Sequence, residues 1–164
     1  MARYSAGWSG VTCVTAAVAG VSANTQYPGT LRGGSATHLV KINEVYVGGE
    51  DTASTPTTMI FARASTLSVG ALSVGTNALT DVQSTAPATP QSWGNTAATS
   101  GPARSATLYL LNLSLNTFGG IARWQARYGE ELTVYGASAN IGEAVLSSKV
   151  GTGKSSGHIL YELV

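Results

Sequence analysis

The sequence predicts an all-β protein: an antiparallel β-sandwich of jelly-roll type over residues 36–164, preceded by an extended N-terminal arm over residues 1–35. Three observations carry this. Runs rich in Val, Ile, Thr, Tyr and Phe recur along the chain, separated by clusters of Gly, Pro, Asn and Ser. No segment keeps a helical period over more than about ten residues. One stretch, Ala36 to Ala64, already contains a strand, an irregular connection and a second strand (HLVKINEVYV, GGEDTASTP, TTMIFARA) on which the rest can pack. Its 164 residues suffice for one domain with a real core.

Taken in order, residues 1–35 are dominated by Ala, Gly, Val, Ser and Thr, and the Tyr27-Pro28-Gly29 turn opposes a helix. Val11, Cys13 and Val18 could line one face of a short strand. Arg3, Tyr4 and Trp8 near the tip are candidate contacts, because large aromatics need cover. That cover is either the chain's own domain or a neighbouring subunit. An arm of this kind predicts that removing residues 1–20 leaves the sandwich folded.

In the first strand of the central stretch, Val40 and Ile42 share one parity while Val45 and Val47 take the other. A one-residue slip turns every later side chain over, so a β-bulge is expected near Asn43-Glu44. The second strand, Thr57 to Leu67, is apolar on both parities: Met59 and Phe61 on one, Ile60, Ala62 and Ala64 on the other. Such a strand is covered on both faces or paired at an interface.

Ser68 to Arg104 is the longest irregular stretch. Leu67, Val69, Leu72 and Val74 fit a short strand or turn, and a polar run follows with Pro87, Pro90, Pro102 and the lone aromatic Trp93. Loops this long are functional or mobile as a rule. Trp93 is a candidate anchor for a partner, or a plug that holds the loop to its own domain. In Thr107 to Asn116, Tyr109, Leu111, Leu113 and Leu115 fall on one parity. Ile121 to Tyr128 sets Trp124 with Ala122 and Ala126, and after Gly129-Glu130 the strand Glu131 to Tyr135 turns Leu132 and Val134 inward. The last strands are Ala144 to Val150 and His158 to Val164, joined by GTGKSSG in what reads as a hairpin turn. First and last strands are expected to pair.

Composition excludes several function classes. Charged residues are 10% of the chain, where about 25% is usual, and the net charge is +1 with nine scattered basic residues. A basic patch for nucleic acid is therefore missing. One cysteine, Cys13, excludes an internal disulfide framework and reads as a small hydrophobe. No apolar run approaches the ~20 residues of a membrane span. Val11 to Ala23 is interrupted by Thr12, Cys13 and Thr15 and follows Trp8-Ser9-Gly10, so neither an export signal nor a lipoprotein lead-in is expected.

Tests for chemistry are negative in the same way. Gly151-Thr152-Gly153-Lys154-Ser155 ends like a phosphate-binding loop, but Ser148 stands where its first glycine belongs and a strand follows in place of a helix. His38 and His158 are lone histidines on strands, without metal-ligand spacing. Gly7-Trp8-Ser9-Gly10 only faintly resembles a nucleophile elbow. The acids mostly flank turns, and Glu130-Glu131 are sequence neighbours that would diverge on a strand. The expectation is a protein without catalytic residues, cofactor or metal.

The run HLVKINEVYVGGEDTASTPTTMIFARA, the long Ser/Thr/Ala/Pro loop, GGIARWQARYGEELTVYG and the closing HILYELV resemble the jelly-roll-like capsid decoration, or cement, proteins of tailed bacteriophages. The resemblance covers residues 36–164. It implies a structural virion protein on the capsid surface, a homotrimer whose arms and loops touch the major capsid protein or neighbouring subunits. The alternative is a tail or fibre-associated receptor-binding sandwich, with Trp93 stacking on carbohydrate.

Overall fold

A computed structural model describes residues 3–13, 29–32, 39–67, 77–79, 91–93, 103–136, 139–150 and 153–164, with backbone alone at 13, 29–30, 77–79, 91–93, 103–104 and 148–150. These residues form eleven strands and no helix: β1 (Arg3–Cys13), β2 (Gly29–Arg32), β3 (Leu39–Gly49), β4 (Pro56–Thr66), β5 (Asn77–Leu79), β6 (Gln91–Trp93), β7 (Ala103–Asn116), β8 (Ile121–Gln125), β9 (Leu132–Tyr135), β10 (Glu143–Val150) and β11 (Gly153–Leu163). All strand pairs are antiparallel.

A six-stranded sheet runs β5-β1-β11-β3-β8, with β9 also on β3, and a five-stranded sheet runs β6-β2-β10-β4-β7. Leaving out the short β5, β6 and β9, the pairings are nested. β1 pairs β11 in the first sheet, β2 pairs β10 in the second, β3 pairs β8 in the first and β4 pairs β7 in the second. One long antiparallel ribbon is thus rolled up alternately into two sheets, which is the jelly roll. The β10–β11 link consequently joins opposite sheets. The hairpin expected at GTGKSSG is corrected to an inter-sheet connection, and β11 begins earlier than expected, at Gly153.

The core lies between the sheets. Val40, Ile42, Val45 and Val47 of β3 meet Met59 and Phe61 of β4 there, all fully buried. The bulge on β3 is where the pattern slips: β11 sets Leu160 opposite Glu44 and Tyr161 opposite Ile42, leaving Asn43 over. β4 is buried on both faces, since Ile60, Ala62 and, beside them, Val145 are fully buried on the side away from the core cluster. On β7 a register shift between Leu111 and Tyr109 puts Leu111 opposite Phe61 but Tyr109 opposite Ala62. Tyr109 therefore leaves the face of Leu111, Leu113 and Leu115 that simple alternation assigns to it.

The N-terminal segment is extended, as expected, but its described parts are strands of the sandwich and do not project from it. β1 lies between β11 and β5, and β2 lies between β10 and β6. Tyr4 and Ala6 are buried, Trp8 packs on the core, and Leu31 is fully enclosed. The reason is the i, i+2 spacing of Tyr4, Ala6 and Trp8, followed by a register shift that brings Val11 to the same face through Gly10 at φ 63°. Removing residues 1–20 would strip a strand from the sheet, so the boundary at residue 35 separates no independent arm. Tyr27, Pro28, His38, most of the 68–102 stretch and the Cys13 side chain lie outside the described residues.

Candidate functional site

The bulge at Asn43 also opens the outer face of the six-stranded sheet. β8 pairs the Glu44–Gly48 half of β3 and β9 pairs the Leu39–Ile42 half, so the chain must leave the sheet edge between them. It does so after Ala126, whose N–H donates to the Asn43 carbonyl at 2.8 Å. The excursion over 127–131 is closed by Glu130 N–H donating to the Arg127 carbonyl at 2.9 Å, with Gly129 at φ 84°. Positive φ is why glycine stands there. The Glu131 carboxylate accepts from the Gly129 N–H at 3.1 Å and fastens the turn.

Between this loop and β11 lies a cleft of about 560 Å³. Asn43, Glu44 and Leu160 contribute to its floor, Arg127, Tyr128 and Glu131 stand on the loop side, and Arg3, Lys41 and Glu162 complete the rim. Tyr128 is fully exposed, at 102% of its reference area. Glu162 accepts a long hydrogen bond from Asn43 Nδ2 at 3.4 Å and faces Arg3 Nε at 4.0 Å. The Glu131 carboxyl is held below the usual range by the Gly129 N–H and by its own backbone N–H, with Lys41 adding to this.

Beside the cleft, Glu44 is only 5% exposed although it points away from the core. Arg123 Nη2 donates to its Oε2 at 2.7 Å, and His158 Nε2 lies 2.9 Å from its Oε1. The His158 ring stacks on Tyr46 at 5.2 Å and 10°. The Arg123 guanidinium pulls the Glu44 carboxyl below its ordinary pKa; burial opposes this and His158 assists, while Arg123 is itself pushed up by Glu44. Glu44 is thus an ionised carboxylate with both oxygens engaged. It ties β3, β8 and β11 together.

The expected contact residues are dispersed. Arg3 stands on the cleft rim with its side chain 70% exposed. Tyr4 is inside the sandwich, 1% exposed and stacked on Tyr161 at 5.4 Å and 17°. Trp8 is half-buried, its Nε1 donating to Ser155 Oγ at 3.4 Å, and its ring lies so close to Gly157 that a Cβ there would collide with it. Trp93 pairs Thr30 through its backbone, and its side chain lies outside the described residues. Sequence reasoning missed the Glu44–Arg123–His158 cluster, whose members are 79 and 114 positions apart. Among the described residues no group of His, Cys, Asp and Glu is placed to hold a metal ion. No protein-family model, curated protein or solved structure matches the chain.

Proposed function

We propose that this chain is a non-enzymatic structural virion protein, a decoration or cement protein that reinforces an icosahedral phage head as a homotrimer in contact with the major capsid protein. The observation that carries the reading is the placement of exposed apolar side chains at both ends of the sandwich. Phe118 and Ile121, 62% and 64% exposed, share the β7–β8 turn beside Gly48 and Gly49 at one end of β3. Tyr135, Ile141 and Val164, each about half exposed, gather around Leu39 at its other end. Clustered exposed apolar groups mark contact surfaces, and a protein that bridges neighbours on a shell needs more than one.

The jelly-roll order supports the reading as analogy, because the fold also serves lectins and enzymes. The low charge fits a surface made to be covered. Immunogold labelling of the source particle with antibody to this chain tests it. Label spread over the head is expected. Label confined to a tail or fibre would replace it with receptor binding, and bare particles would remove the virion role.

A further inference from the structure

We propose that the cleft over the Asn43 bulge is a binding site for a neutral saccharide. This stands apart from the capsid reading, since a head protein and a tail protein would use such a site alike. The volume of about 560 Å³ lies within the range of small-molecule sites, roughly 300–1,000 Å³.

Charge decides against an ionic ligand. The lining contains three cations, Arg3, Lys41 and Arg127, and three carboxylates, Glu44, Glu131 and Glu162; with Glu44 already matched by Arg123 beside the cleft, the balance is three minus two, at most one positive charge. A phosphate or sulfate would meet the carboxylates, and an amine would meet the cations. A sugar hydroxyl both donates and accepts, so a polyol needs donors and acceptors side by side. The cleft offers them: amides from Asn43 and Gln125, the Arg127 guanidinium, and the carboxylates of Glu131 and Glu162.

The second requirement is a flat apolar surface. Tyr128 supplies one at the tip of the loop, fully exposed, and an aromatic ring with a polar edge suits a partner that is apolar on one face and hydroxylated at its rim. Leu160 adds an apolar patch below. The frame is already set, because the Gly129 N–H holds Glu131 and the Ala126–Asn43 hydrogen bond anchors the start of the loop. The backbone of the loop is therefore set before binding, and the cost that remains is ordering of the exposed side chains, Tyr128 first.

The test is a glycan microarray bearing neutral and anionic oligosaccharides, probed with the full chain and followed by calorimetric titration of any neutral glycan retained. Retention of a neutral glycan is expected, with an affinity that changes less than about twofold between roughly 50 and 500 mM NaCl, a range over which charge attraction is strongly screened. Tyr128→Ala should weaken it at least about tenfold, or ~1.4 kcal/mol, and Tyr128→Phe should keep it. Tyr128 supports no part of the core, so neither variant threatens the fold. Retention of anionic glycans alone, of none, or of a neutral glycan equally well by Tyr128→Ala would each overturn the proposal.

Discussion

β3 and β4 are each eleven residues long and each is an interior strand of its sheet, yet their outer faces differ completely. Away from the core, β3 presents Lys41, Glu44 and Tyr46 toward water and the cleft, whereas β4 presents Ile60 and Ala62, both fully buried. The five-stranded sheet is enclosed on both sides near its centre and the six-stranded sheet on one. A doubly enclosed sheet has no surface there for ligand chemistry, so its residues serve stability. A singly enclosed sheet keeps one face free, and the charged cluster and the cleft are both on that face.

This contrast can be broken by one lysine on each strand system. Ile60→Lys would bury an unpaired ammonium on the enclosed outer face of β4, and a loss of about 4 kcal/mol or more is expected in urea denaturation. Leu160→Lys, half-buried on the opposite outer face, should change stability by only about 0.5–1 kcal/mol, because its stem can lie on the sheet and its charge reach water. Equal losses in the two variants would mean that the outer faces do not differ as described.

A smaller effect separates the charged cluster from its surroundings. Glu44→Gln leaves Arg123 without its carboxylate, but that side chain is 55% exposed and can rehydrate, so a loss well below that of Ile60→Lys is expected at pH 7. Because the folded-state pKa of Glu44 lies below its unfolded value, the carboxylate's contribution is complete above about pH 4.3 and fades as pH falls through the lowered value. Wild type should therefore lose more stability than Glu44→Gln between neutral and strongly acidic pH. Parallel pH profiles would show that the ion pair contributes nothing.

The smallest change concerns the core itself. Among the described residues, the buried hydroxyls of Tyr4 and Tyr161 have no hydrogen-bond partner, and burial pushes the Tyr161 phenol pKa well up. A buried hydroxyl without a partner is a cost. Tyr161→Phe should accordingly raise stability by about 0.5–1 kcal/mol, measured as a higher denaturation midpoint with unchanged slope. A loss would point to a role for that oxygen.

Legibility in the sequence followed the locality of the signal. The Asn43 bulge was readable because the parity slip between Ile42 and Val45 lies within four residues. The double burial of β4 was readable because apolar residues fill both parities. β1 carries the same kind of slip, with Tyr4, Ala6 and Trp8 before it and Val11 after it, but Ala6 and the glycines weaken the contrast and make a strand look like a loose arm. The cleft was not readable. Its walls come from residues near 3, 41–44, 125–131 and 160–162, which only the jelly-roll pairing brings together. Glu44 and His158 read separately as a residue of the expected bulge and a lone strand histidine, and nothing local indicates that each is the other's partner.

The place of β11 has a consequence for how the molecule is made. This strand sits between β1 and β3, so on that edge Arg3 meets Glu162 and Tyr4 meets Tyr161, almost the whole chain away. Chains dominated by such distant pairings fold slowly. During synthesis the slot between β1 and β3 stays open until residues 153–163 have left the ribosome. Until then two unpaired strand edges stay open to solvent, where they are exposed to mispairing with other nascent copies. Slow release or chaperone capture is where such a chain would lose yield.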